Sequence, residues 1–483
     1  MMNALFPVLL LAAQSTPSVE LTLEAAYRTA LENNLGLRIE AANTEAALYN
    51  YRATWGTFDW VVDARLGYSD AEYQPRDVFG GSSETNRELT FDLTRPFAAT
   101  GGTLRTHFGT TESKTNSSFQ VEPRSTTDII SLQYTQPLLR GAWREYATSR
   151  QRESQLDSRR QDEQLRQTRQ KLLLDVSIAY WNHVAAIDAL GVADSSLNLA
   201  RRQLDQNQRL LDAGMGTTVE VLQAEAGVAT REESRLKAEV DVRKAADDLK
   251  QLLVPGKDAE LWESELVPVT PLPEAGDAVP PPAWETAFSI AVERRPELRR
   301  QRLAVQAASV RHDRAKVERR AGLDLDLTAS SQGFSGSSSE ALETTAQFDF
   351  PTYRAALVFN YAIGNTGASN SERAAWASIR AARLSYDDLE SKIAAEVRDG
   401  VRQVRYQAEA VRAADKSLEL AQRQLAAEEL RFQNGQSTTF EILKFQTDLA
   451  QSMSNARAAR ANYAKSLATL TSAQGLLGEA RGP

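Results

Sequence analysis

Ala213-Gly214-Met215-Gly216-Thr217-Thr218-Val219-Glu220-Val221-Leu222-Gln223 has a counterpart 221 positions later, Asn434-Gly435-Gln436-Ser437-Thr438-Thr439-Phe440-Glu441-Ile442-Leu443-Lys444. Each stretch carries a glycine, an acid six residues on and an apolar pair after the acid. Glycine suits the left-handed residue that lets one helix end and another reverse direction. An acid soon after such a turn also favours the dipole of the next helix. Upstream of the first turn, Leu190, Leu197, Leu204 and Leu211 fall seven apart, and upstream of the second so do Val404, Val411, Leu418, Leu425 and Phe432. Sevenfold spacing keeps one seam of a helix against a neighbour, as in a coiled coil. The pattern therefore predicts a helical hairpin used twice.

Further out, the duplication continues. Leu23-Glu24-Ala25-Ala26-Tyr27 through Leu37-Arg38 matches Trp284-Glu285-Thr286-Ala287-Phe288 through Leu298-Arg299, 261 positions on, while Tyr134 and Tyr361 are 227 apart. The halves thus drift by 34 positions between their first helix and last strand, and the first half holds extra strand material there. Each half reads as helix, strands, very long helix, turn, helix. A first helix is expected over about 23–51, a long one over about 143–211 (~105 Å) and another over about 219–253. The organisation is a leader over 1–15, a first repeat over 20–254 with strands at about 58–138, a linker over 255–283, and a second repeat over 284–478 with strands at about 322–363. The linker is rich in proline and acid, from Val254-Pro255-Gly256 to Pro280-Pro281-Pro282. Residues 4–13 form a short apolar run, the length of a secretory signal core rather than a membrane helix, with cleavage after Ala13 or Ser15.

In the strand segments the period changes to two. Phe58, Trp60, Val62, Ala64, Leu66 and Tyr68 alternate with Asp59, Val61, Asp63, Arg65, Gly67 and Ser69; Leu89, Phe91 and Leu93 with Thr90, Asp92 and Thr94; Leu104, Thr106 and Phe108 with Arg105 and His107; Ile130, Leu132 and Tyr134 with Ser131, Gln133 and Thr135. In the second half Leu323, Leu325 and Leu327 alternate with Asp324 and Asp326, and Leu357, Phe359 and Tyr361 with Val358 and Asn360. Such alternation fits a barrel with lipid outside and water inside, or a two-faced sheet in a soluble protein. Four to six strands do not close a barrel alone, and three subunits of four would supply about twelve. The extra hairpin around Glu88 to Phe108 would either enlarge the barrel or extend above the membrane. Gly80-Gly81-Ser82-Ser83 and Ser335 to Ser339 read as polar external loops.

The two glycine turns with their acids, and Gln136-Pro137-Leu138-Leu139-Arg140-Gly141 at a strand-to-helix crossing, resemble the TolC-like outer-membrane efflux protein family over roughly residues 20–478. The resemblance implies an α+β membrane protein: an outer-membrane β-barrel shared between subunits and continuous with a long periplasmic α-helical barrel, built from two tandem structural repeats. It implies a homotrimer, surrounded by outer-membrane lipid, that meets a periplasmic adaptor (membrane fusion) protein and, through it, an inner-membrane transporter. The implied function is the passive channel of a tripartite efflux or type I secretion system. By the same resemblance, Gly214, Met215, Gly435 and Gln436 would contact the adaptor. Glu441, Lys444 and Glu220 would stand at the periplasmic gate, and Phe432 and Ser437 occupy positions where the family latches its closed state. The family carries a second acid where this chain has Lys444, which would partly neutralise an acid ring.

Composition points the same way. The chain has 483 residues, net charge −8 with both signs interspersed, and no cysteine. This disfavours a nucleic-acid binder and excludes thiol catalysis, disulfides and Cys-based metal sites. His107, His183 and His312 are scattered and have no ligand spacing. No acid is paired with a base in a catalytic arrangement, so neither an enzyme nor a cofactor is expected. The competing reading is a periplasmic coiled-coil adaptor or scaffold, which also uses long hairpins but needs only one, flanked by compact β-domains.

Overall fold

Apolar residues spaced by seven become helix on both sides of each glycine turn, and those spaced by two become one sheet. In a computed structural model, residues 18–74, 81–117, 122–256, 259–273 and 282–478 are described. The expected leader over 1–15 lies outside them. In chain order the elements are β1 (Ser18–Leu21), α1 (Leu23–Asn33), α2 (Leu35–Ala53), β2 (Val61–Glu72), β3 (Ser83–Pro96), β4 (Thr103–Thr115), β5 (Arg124–Pro137), α3 (Trp143–Ala147), α4 (Ser149–Asp212), α5 (Thr218–Leu253), α6 (Ala259–Glu263), β6 (Glu265–Pro268), α7 (Trp284–Arg294), α8 (Pro296–Glu318), β7 (Gly322–Ser335), α9 (Ser338–Ala346), β8 (Pro351–Asn360), α10 (Thr366–Gln433) and α11 (Thr439–Ala473). At 64 and 68 residues, α4 and α10 run for roughly 100 Å each. Among the described residues no helix is long and apolar enough to cross a membrane.

Two compact units divide the chain: Met1–Asn43, Glu163–Arg299 and Asp388–Pro483 form one, and Thr44–Asp162 with Arg300–Asp387 the other. In the first, the seam of α10 buries Ile393, Val397, Val404, Val411 and Leu425. Leu172, Val176 and Tyr180 of α4 pack with Ala26 and Ala30 of α1 and Leu249 and Leu253 of α5. The linker expected over 255–283 contains structure that its composition concealed. Within it β6 pairs in parallel with β1, Ser18 opposite Glu265, and Leu266 joins the core. Lys250, 5% exposed, donates to the carbonyls of Trp262 (2.9 Å) and Ser264 (2.7 Å). His183 Nε2 donates to the Leu266 carbonyl at 3.0 Å, and burial pushes its pKa down.

The helix expected over 23–51 is two helices. Asn34 leaves the helical region with ψ 121°, and its Oδ1 accepts from Leu37 N at 3.0 Å, capping α2. Arg295 breaks α7 from α8 in the same way, with ψ 120°, and Pro296 opens α8, where its missing N–H costs no bond. The long helix expected from Trp143 is interrupted at Thr148, so its continuous part starts at Ser149.

In the second unit the sheet has six strands in the order β2-β3-β4-β5-β7-β8, all antiparallel. The hairpin left open by the sequence, β3 and β4, lies inside the sheet, with Phe91 opposite Phe108. Register settles which residues share a face. Ala64, Phe91, Phe108, Ile130 and Ser331 are successive partners, as are Leu66 with Leu89, Leu132 with Ala329, and Leu325 with Leu357. Every apolar alternation therefore falls on one face of the sheet, and Asp63, Asp92, His107, Ser131 and Asp326 fall on the other. A short turn at Phe97–Gly102 joins β3 to β4 at the end of the sheet where the helices attach. The longer connections leave from the opposite end. Residues 335–339, expected as an external loop, instead run into α9. It lies on the sheet's apolar side over Asp128, Ser331 and Gly333, with Thr345 Oγ1 3.2 Å from the Asp128 carbonyl. A Cβ at Gly333 would collide with the Ala341 carbonyl oxygen, so only glycine admits the helix there.

Candidate functional site

The two glycine turns are built alike. At the first, Gly214 has φ +73°, its N–H donates to the Leu211 carbonyl (2.9 Å) and Met215 N donates to Leu210 O (2.9 Å). At the second, Gly435 has φ +71°, its N–H donates to Phe432 O (2.9 Å) and Gln436 N donates to Arg431 O (2.8 Å). This pair of bonds closes a helix whose next residue is left-handed. A Cβ on either glycine would meet nothing within 4 Å, so the requirement is conformational and not spatial. Met215 and Gln436, both exposed, stand at the crests of the turns.

Beyond the glycines the turns diverge. Thr217 caps α5 through a reciprocal pair: Glu220 N donates to Thr217 Oγ1 (3.3 Å) and Thr217 N donates to Glu220 Oε2 (2.8 Å). Thr438 caps α11 by accepting from Glu441 N (3.4 Å), but the Glu441 carboxylate turns elsewhere. Ser437 Oγ lies 3.0 Å from Glu441 Oε2 and is also hydrogen-bonded to Glu428 Oε1. A hydroxyl has one proton to give, so it donates to one of these carboxylates at a time. Glu428 is 4% exposed, sits on α10 three residues after Leu425, and pairs with Arg431 at 3.0 Å. The position equivalent to Ser437 in the first turn is Gly216, which has no hydroxyl.

Polar side chains join the hairpins. Asn207 of α4, 3% exposed, donates to the Glu220 carbonyl (3.0 Å) and to Thr439 Oγ1 (3.2 Å), so one amide ties α4 to the first turns of α5 and α11. Gln203 Nε2 holds the Asn207 oxygen at 2.9 Å. Arg231 of α5 reaches α4 at Ser196 Oγ (3.2 Å) and α11 at Thr447 Oγ1 (3.1 Å), and burial lowers its pKa. Between α4, α10 and α11 lies a cleft of about 180 Å³ lined by Gln203, Glu429, Phe432, Ile442 and Gln446. The structure thus brings Glu441 and Ser437 together and sets Phe432 at this cleft. It leaves Lys444 exposed, with no ion pair among the described residues, and engages Glu220 in a cap. Asn207, Arg231 and Glu428 were not singled out in the sequence. Glu428 had a signal: Ala421, Leu425, Glu428 and Phe432 follow coiled-coil spacing, and an acid in that row is out of character.

The sequence profile of the outer membrane efflux protein family matches residues 103–253 and 287–476. The chain is 25% identical to the alkaline protease secretion protein AprF of Pseudomonas aeruginosa over 378 residues, 77% of this chain and 74% of that one. Among solved structures it resembles the outer-membrane channel OprN (TM-score 0.70, 16% identity, 94% of this chain and 89% of that one). It likewise resembles the Campylobacter jejuni CmeC outer membrane channel (TM-score 0.68, 14% identity, 94% and 85%). At those identities the structural likenesses establish the fold, of helices together with a sheet, and the profile establishes the family. The chain belongs to the outer membrane efflux protein family, and is an outer-membrane efflux protein and not an enzyme.

Proposed function

We propose that three copies of the chain form a duct that takes cargo from a periplasmic adaptor, and through it from an inner-membrane transporter, to the exterior. The observation that carries this reading is the strand register, which gathers the apolar alternations of all six strands on one face and sets Asp63, Asp92, His107 and Asp326 on the other. Lipid against the first face and water against the second match that division. Among the described residues both edge strands, β2 and β8, pair with a neighbour on one side only. Pairing β2 of one copy with β8 of the next removes these edges. Six strands from each of three copies give eighteen, half as many again as the twelve expected from four per subunit. A barrel of that size leaves an aqueous channel.

The helices would form the periplasmic tunnel, with residues 20–254 and 284–478 as tandem repeats around the linker at 255–283. The breaks at Asn34 and Arg295, and the turns at Gly214 and Gly435, support that division. Gly214, Met215, Gly435 and Gln436 would meet the adaptor at the turn crests. Glu441 would supply the entrance acid, with Lys444 one turn further along α11 and Glu220 kept to a capping role. Ser437 would act as the latch by giving its one proton to either Glu441 or Glu428 on α10, with Phe432 packing beside it. Likeness to a protease secretion protein favours the secretion branch. The test is fractionation followed by planar-bilayer recording of the purified protein. A heat-sensitive trimer from the outer membrane that forms cation-preferring pores is expected; a soluble monomer without conductance would refute the duct.

A further inference from the structure

The apolar face of the sheet changes character towards the end that carries the longer connections. One step beyond the Phe91–Phe108–Ile130 row come Leu89, Thr110 and Asp128; then Arg87, Glu112 and Thr126; then Thr85, Lys114 and Arg124. These residues keep the alternation of Phe91, Phe108 and Ile130, so Arg87, Glu112, Lys114 and Arg124 lie on the same face as the apolar band. At 3.2–3.4 Å per residue the first cation stands about 7 Å beyond Leu89. Lys114 and Arg124 are direct cross-strand partners, a juxtaposition of like charges that destabilises a sheet unless something neutralises it. Glu112 is occupied between two guanidiniums, 2.5 Å from Arg124 and 3.7 Å from Arg87. Asp70, on the same face, accepts from Thr85 Oγ1 at 2.9 Å. Among the described residues Lys114 has no acidic partner. Thr85, Arg87, Glu112, Lys114 and Arg124 together line a cleft of about 190 Å³, and the two arginine side chains are 66% and 63% exposed.

We propose that this cleft binds the phosphate of a phosphorylated lipid headgroup in the outer leaflet of the membrane. The inference rests on the barrel reading above, because that reading puts lipid against this face. The longer connections mark the external end of the strands, and the short Phe97–Gly102 turn the periplasmic end. Three cations just past the apolar band then stand at headgroup depth, and guanidinium groups bind phosphate oxygens in pairs. The bound phosphate neutralises the Lys114–Arg124 pair and fixes the height of the barrel in the bilayer.

The test uses the full-length trimer in nanodiscs of phosphatidylcholine doped with lipid A or with its dephosphorylated form, with retained lipid counted by native mass spectrometry. Wild type should prefer the phosphorylated form by roughly tenfold. The combined variant Arg87→Gln, Lys114→Gln, Arg124→Gln should lose that preference, while Arg105→Gln, on the opposite face, should keep it. Equal retention by the triple variant would overturn the proposal. So would displacement of lipid A by inorganic phosphate at matched concentration, which would mark a site for free anions. Pore conductance recorded from the same preparations separates the two readings: pores without selective lipid retention refute the lipid site alone, whereas no pores at all refute the barrel as well.

Discussion

The turns at Gly214 and Gly435 share a backbone, with matching left-handed glycines and matching closing bonds, yet the acid six residues on is used differently in each. Glu220 folds back on Thr217 and completes the cap of α5, while Glu441 leaves its cap to Thr438 and joins Ser437 beside Glu428. The difference nearest the acid is Gly216 against Ser437, and Asn207 stands where the second hairpin has Glu428. The Ser437 hydroxyl offers the carboxylate a donor away from the cap, and the same hydroxyl meets a buried acid paired with Arg431. A duplicated motif can thus keep its backbone scaffold while the acid of one copy is released from its cap. Backbone geometry alone does not tell the two apart.

The largest effect is expected at the link that both turns share. Asn207→Leu removes the donor to the Glu220 carbonyl and the Thr439 hydroxyl and leaves the buried Gln203 amide without its acceptor, and should cost about 1–3 kcal/mol. Thermal unfolding should show it, and Gln208→Leu on the exposed side of the same helix should cost far less. Next comes Ser437→Gly, which gives the second turn the glycine that the first has at the equivalent position. Glu441 should then fold back onto Thr438, and the pore's cation preference should fall even though the acid is still present. The added glycine costs about 0.5–1 kcal/mol, partly offset by the completed cap. If selectivity is unchanged in Ser437→Gly, the serine does not position the acid. Glu220→Gln is a smaller change: about 1 kcal/mol or less of stability and no shift in ion preference in bilayer recordings.

A pH effect lies away from the turns and is the smallest. Burial lowers the pKa of His183 below its ordinary 6.5, so the folded chain resists a proton that the unfolded chain accepts. The stability contributed by the neutral ring is fully present above pH 6.5 and declines as pH falls from there towards the folded pKa. Melting temperature should therefore fall on acidification over that interval, and less so in His183→Gln. Equal falls in both proteins would assign the effect to other groups.

Much of this architecture is legible in the sequence because it is periodic. Sevens marked α4 and α10, twos marked the strands, and Gly214 and Gly435 marked the reversals. What escaped was aperiodic or made at a distance. β1 and β6 are four residues each and 247 positions apart (18 and 265), too short for any alternation to register. α9 hides in a serine run, because its fit depends on Gly333 beneath it. Asn34 breaks a helix by a single side-chain cap that no apolar spacing announces. At the turns, the sequence indicated that an acid follows each glycine. It did not reveal which acid is free, because that depends on Ser437 meeting Glu428 across the turn and on Asn207 crossing from another hairpin.

The most direct test of the account is the reversal potential of reconstituted trimers under a potassium chloride gradient, for wild type, Glu441→Gln and Glu220→Gln side by side. A cation preference that falls about two- to fivefold in Glu441→Gln and is unchanged in Glu220→Gln is expected. Equal losses in both variants, or none in either, would contradict the assignment of the entrance acid to the second turn alone.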